Sequence, residues 1–256
     1  YPEYRPRICR RCGQLDYNAN YYSEDRRVGE QCFFDEKDVY IDFNADLKNF
    51  LVTPGTITSD YGRSTGMCDL QAYHTDTEPL RLELVFYVGG PSAEATLTNV
   101  AGLMQAARQC VVRKEGDIYE YAAVLVDRNC EDTGVDPYQQ VSLSFDAIRR
   151  RPLIRKRIEG AAIIYNPGNR ESGVKISIFP DQEMDAVTVM GITIDSLNPG
   201  VAYVIDGISG RVTANGVNYF SHTDIIEFPK LAPGKNEIQV SADVPVEVEY
   251  YPIYEA

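Results

Sequence analysis

The residues whose types and spacing could do chemistry lie near the N-terminus. Cys9-Arg10-Arg11-Cys12-Gly13 sets two thiols two residues apart, and nineteen residues later Cys32-Phe33-Phe34-Asp35 sets a third thiol two residues ahead of a carboxylate. Two close donor pairs brought together across a loop supply the four tetrahedral ligands that Zn2+ takes, with Asp binding through oxygen. Cys9, Cys12, Cys32 and Asp35 are therefore the candidate metal set. Gly13 suits the tight turn after the second thiol. With all four positions filled by protein, the zinc would be structural and would fold its segment rather than activate a substrate. The alternatives are a Cys9–Cys12 disulfide or thiols without a role.

The pattern resembles a small zinc ribbon, or half of a LIM-type module, with the last Cys replaced by Asp. A redox reading is weaker, because a redox Cys-x-x-Cys normally opens a helix in a βαβ setting. Elsewhere the sequence offers little to a catalyst. Its two histidines, His74 and His222, lie in polar, loop-like stretches. Gly-x-Ser-x-Gly, phosphate-loop, Gly-x-Gly-x-x-Gly and His-Glu-x-x-His patterns are all missing. Among 38 acidic residues some pair always lies close, so a glycosidase dyad cannot be named, and the absence of Trp argues mildly against one. The chain is read as a non-enzyme.

A formal charge of −13 repels phosphate backbones, so nucleic acid is not an expected partner. No apolar run approaches the roughly 18 residues of a transmembrane helix, so no membrane partner is expected either. Cys68, Cys110 and Cys130 stand singly in apolar or strand-like contexts, where a free thiol behaves as a small hydrophobe. A reducing compartment fits that usage.

The elements that would carry any site are mostly strands. Residues 1–38 are polar, rich in Tyr and Arg, and poor in core candidates, so they form a separate Cys-rich extension. Residues 39–151 form a first domain. In it Val39-Tyr40-Ile41-Asp42-Phe43 is a short β run, and Leu80, Leu82, Leu84, Phe86 and Val88 share one face of a strand. Ser92 caps a helix near 93–109 whose Leu97, Val100, Ala101, Met104 and Ala107 repeat at helical spacing. Strands follow at 110–113, 119–127 and 138–148. Residues 149–157, six of nine basic, mark a domain boundary: either a solvated linker or a contact with an acidic neighbouring subunit. Residues 152–256 form a second, all-β domain punctuated by turns, of which Asp206-Gly207 and Asn215-Gly216 are the best hairpin signals.

Three stretches carry a resemblance. Ala162-Ile163-Ile164-Tyr165-Asn166-Pro167-Gly168-Asn169 is followed by the strand Val174-Lys175-Ile176-Ser177-Ile178, and later by Phe228-Pro229-Lys230-Leu231-Ala232-Pro233-Gly234-Lys235-Asn236-Glu237-Ile238. They resemble the C-terminal part of siphophage distal tail proteins. One departure is the missing Pro ahead of the second strand, where Ser172-Gly173 leads directly into Val174. The resemblance covers about 39–256 and leaves out 1–38. It implies a mainly β chain of two β-sandwich domains, the first with one packed α-helix and the second galectin-like. It further implies a ring, a hexamer in the family, that links the tail tube to tail-tip, baseplate and receptor-binding or side-fibre proteins. The site of residence would be the virion tail, after assembly in the host cytoplasm. Ring closure needs two different complementary patches on each subunit, and the basic run could supply one, so charge reversal at Arg150 and Arg151 is expected to weaken assembly.

Two other function classes are weighed. Galectin-like sandwiches often bind sugars, and Tyr203, Tyr219, Tyr250 and Tyr251 could form an aromatic platform for a carbohydrate-binding module in host attachment. A cell-wall hydrolase has no positive signal.

Overall fold

The computed structural model describes residues 31–62, 71–135 and 137–255. The chain divides into two compact units, Tyr1–Ile148 and Arg149–Glu255, close to the break expected at 151/152. The architecture is mainly β, as expected.

The N-terminal unit is built on a seven-stranded sheet. Its elements in chain order are β1 (Cys32–Phe34), β2 (Lys37–Asp38), α1 (Val39–Phe43), β3 (Ala45–Thr53), β4 (Ile57–Gly62), β5 (Gln71–Thr77), β6 (Leu80–Val88), α2 (Ala93–Ala107), β7 (Gln109–Lys114), β8 (Glu120–Asp132) and β9 (Gln139–Arg150). The strand order is β2-β1-β7-β8-β9-β6-β3, and β4 and β5 form a hairpin of their own. The sheet curls on itself. Phe34 in β1 meets Phe86 of β6 edge-on at 6.0 Å and Phe145 of β9 at 6.1 Å, although several strands separate them in the sheet order. The alternation read in Leu80–Val88 holds, with Leu80, Leu82, Leu84, Phe86 and Val88 all buried.

Three expectations change here. Residues 32–38 are not part of a separate extension. β1 pairs with β7 in the register Phe34↔Val112, and Cys32 and Phe34 enter the core. The run 39–43 is a helix, not a strand. Asp38 Oδ1 accepts from Tyr40 N at 3.0 Å and Ile41 N at 3.2 Å, and Asn44 closes the turn at φ 50°. Val39 and Phe43, four apart, are then buried together, so capping at both ends outweighs the β propensity of the residues between. In α2, Ser92 Oγ caps Ala95 N at 3.2 Å as expected, but the buried face is Thr96, Val100, Leu103 and Ala107. Leu97 and Ala101 face outward.

The C-terminal unit is a β-sandwich. Its strands are β10 (Ile154–Ile158), β11 (Ala162–Asn166), β12 (Ser172–Ile178), β13 (Met184–Val189), β14 (Ile192–Leu197), β15 (Tyr203–Asp206), β16 (Arg211–Ala214), β17 (Val217–Asn218), β18 (Lys230–Leu231), β19 (Gly234–Ile238) and β20 (Val246–Tyr250). The main sheet runs β10-β20-β12-β15-β16-β17, with β18 joined to β12, and the pairs β11-β19 and β13-β14 stand apart from it. Val174, Ile176 and Ile178 of the main sheet share one core with Ile164, Ile238, Val187, Ile194 and Leu197 of the two pairs. The turn Asn215-Gly216 has positive φ at both residues, the backbone that a two-residue hairpin needs.

The basic run is not a linker. Arg149 and Arg150 end β9, and Ile154–Ile158 is an edge strand paired with β20 in the register Arg155↔Glu249 and Arg157↔Glu247.

Candidate interaction surfaces

Of the expected metal ligands, Cys9 and Cys12 lie outside the described residues. Cys32 is 2% exposed on the inner face of β1, and burial pushes its thiol up to about 12, with the neighbouring Cys110 adding to the rise. Asp35 sits in the β1–β2 turn at φ 56°, and its Oδ1 accepts from Val111 N at 2.8 Å. Cys32 keeps its thiol in the core, and the Asp35 carboxylate accepts from a backbone amide. Among the described residues no three His, Cys, Asp or Glu side chains are grouped to hold a metal.

The four tyrosines do not make one platform. Tyr203 and Tyr250 are core residues. Tyr203 Oη accepts from Asn198 N at 2.9 Å, and Tyr250 Oη donates to Tyr165 O at 2.9 Å. Tyr251 lies under the Arg150 guanidinium at 3.7 Å. Tyr219 stacks on His222 at 4.2 Å, and Oη donates to Ser196 O at 2.9 Å. Arg151 lies 5.5 Å from the ring of Tyr254. Arg150 and Arg151 therefore pack within the C-terminal unit, and a charge reversal there would disturb folding as well as any assembly. His74 lies in β5, opposite Asp60 of β4, rather than in a loop.

Glu249 gave no signal in the sequence. Its side chain is 4% exposed and lies between cations on both neighbouring strands. Arg155 Nε donates to Oε1 at 2.6 Å, and Lys175 Nζ donates to Oε2 at 2.8 Å. Burial opposes ionisation, but the hydrogen bonds from Lys175 and Arg155 outweigh it and hold the carboxyl below its ordinary range. The register Arg155↔Glu249↔Lys175 across β10, β20 and β12 places all three on one face.

Two surfaces of the N-terminal unit are open. The strands of the β4–β5 hairpin expose Ile57, Tyr61 and Tyr73 at 62%, 64% and 72%. Beside α2, the outward residues Leu97 and Ala101 and the half-buried Met104 form one wall of a groove of about 700 Å3, and Arg128–Cys130 of β8 form the other. Arg128 reaches across it, with Nη1 at 3.1 Å from Met104 Sδ. The sequence held a signal for this groove: the apolar stripe of α2 is wider than one buried face requires.

No protein-family model and no curated protein sequence matches the chain. Among solved structures, the chain is similar to the crystal structure of the SPP1 Dit (gp 19.1) protein, described as a paradigm of hub adsorption apparatus in Gram-positive-infecting phages. The TM-score is 0.66 at 11% identity, over 88% of this chain and 98% of that one. It is also similar to a chain of the phage P2 baseplate in its activated conformation with Ca, with TM-score 0.56 at 11% identity over 87% and 97% of the two chains. The same values hold for the baseplate with Sr. The chain thus has the fold of these hub and baseplate proteins along nearly the whole length of both chains.

Proposed function

We propose that the chain is a structural subunit of a bacteriophage tail tip, a ring-forming hub that joins the tail tube to baseplate or receptor-binding proteins. The observation that carries this reading is the two-unit match to the SPP1 Dit protein over 98% of that chain. Function does not follow from fold in general. Here the likeness spans both units together with their order, and the sequence motifs at 162–178 and 228–238 point the same way. The second unit is then the galectin-like domain of the family, carrying side proteins outward, and the ring is a hexamer. The reading requires no turnover.

The test is the solution mass of the purified chain, by size exclusion with light scattering over a range of concentrations, together with binding to purified tail tube protein. A discrete ring, or a ring formed on the tube, supports the proposal. A chain that stays monomeric and does not bind the tube removes it, and glycan binding becomes the next assay.

A structural zinc held by Cys9, Cys12, Cys32 and Asp35 is a separate proposal, carried by the spacing alone. The burial of Cys32 works against it. Elemental analysis decides: about one zinc per chain, lost in Cys9→Ser, supports the site, and a metal-free folded chain removes it.

A further inference from the structure

We propose that the β4–β5 hairpin of one copy of this chain docks into the α2–β8 groove of the next copy. The inference rests on the ring reading above and names the two surfaces that would close the ring. A two-stranded hairpin is at best marginal in water without an apolar surface to pack against. In this one the described strands form a sheet of their own, and Ile57, Tyr61 and Tyr73 are more than half exposed. The groove has the opposite lack. Leu97 and Ala101, four apart, lie on the side of α2 turned away from its own core, and the half-buried Met104 borders them, with an open volume of about 700 Å3 beside all three.

The charges match as well. The described strands of the hairpin carry Asp60 and Asp76 and no Lys or Arg, while Arg108 and Arg128 are the charged residues lining the groove. In a chain of net charge −13, a groove lined by two cations and no carboxylate is a local exception that would steer an acidic segment of a like chain. The two surfaces differ, so their pairing is head-to-tail, the type of contact that generates rings.

Cys130 lines the groove and is exposed, which makes it a natural reporter. In a full-length chain with Cys9, Cys12 and Cys68 changed to Ser, Tyr61→Cys is treated with a short bismaleimide. The expected product is a ladder of covalent multimers, lost when Cys130→Ser is added. In parallel, Arg128→Glu is expected to weaken self-association by about tenfold, and Asp60→Arg in the same chain to restore much of it. Oligomers that persist without the ladder, and that ignore both Ile57→Ser and Arg128→Glu, would overturn this interface and leave the ring reading standing. A chain that neither associates nor cross-links at any concentration, alone or with tail tube protein, would overturn both.

Discussion

Replacing Glu249 by Gln tests whether the cation–carboxylate–cation row across β10, β20 and β12 holds the C-terminal sandwich together. Glu249 accepts from Arg155 at 2.6 Å and from Lys175 at 2.8 Å with only 4% of its side chain exposed. Hydrogen bonds to charged groups contribute about 1.5–3 kcal/mol each. Two offsets reduce the sum. The carboxylate no longer has to be desolvated, and Arg155 and Lys175, at 61% and 37% exposed, recover water when their partner goes. The net loss for Glu249→Gln is therefore about 1–2 kcal/mol, and slightly more for Glu249→Ala, which also gives up packing. For a unit of this size that lowers the midpoint of thermal unfolding by roughly 5–10 °C. The same carboxyl sets a pH dependence. Its folded pKa lies below the unfolded value of 4.5, so its contribution is fully present above about 4.5 and is lost as pH falls through the folded value. Calorimetry of the full chain from pH 7 down to pH 3 measures both effects. Wild type and Glu249→Gln should differ most at neutral pH and converge in acid. A variant within about 0.5 kcal/mol of wild type at pH 7, with a parallel acid slope, would show that the row contributes nothing and that the backbone ladder and apolar burial hold β10 to β20 without it.

Three further outcomes are expected. Leu103→Ala, at a fully buried position on α2, should cost about 3 kcal/mol in urea unfolding, and Leu97→Ala, on the open face of the same helix, less than about 1 kcal/mol. Asn166, fully buried, donates to Leu231 O at 3.1 Å and Arg170 O at 3.2 Å and accepts from Gly168 N at 3.0 Å, which ties its own turn to β18. Asn166→Ala should cost about 2 kcal/mol, and Asn166→Asp more, because a carboxylate would face two carbonyl oxygens. Native Cys32 and Cys110, both raised to about 12 chiefly by burial, should resist alkylation at pH 8 while Cys130 reacts, as peptide mapping by mass spectrometry would show.

Strand alternation and turn chemistry made much of the fold legible. Leu80–Val88 has the period of a half-buried strand and nothing competes with it, and Asn215-Gly216 supplies the positive φ that its hairpin needs. The misreadings share one cause: a local preference was overruled by what lay beside it. Val39–Phe43 is β-rich in composition, but Asp38 and Asn44 cap it into a helix. The basic run 149–157 looks like a linker until the carboxylates of β20 are paired with it, and those lie some ninety residues further on. Cys32 has metal-type spacing, yet Phe34 two residues later turns that whole face of β1 into the core. Flanking caps decided the first case, and strand partners far along the chain decided the second. The open hairpin was hidden for a related reason, since exposure of an apolar residue is a property of the folded surface.

The C-terminal unit begins and ends at one place. Tyr254 N donates to Arg149 O at 2.9 Å, Arg151 N donates to Pro252 O at 2.9 Å, and Ile154 faces Tyr250 at the same end of the antiparallel pair β10–β20. Tension applied through the two termini of this unit would therefore open that pair like a zip, loading its hydrogen bonds one after another rather than all at once. Mechanically, the domain is poorly suited to serve as a link in a tensioned chain.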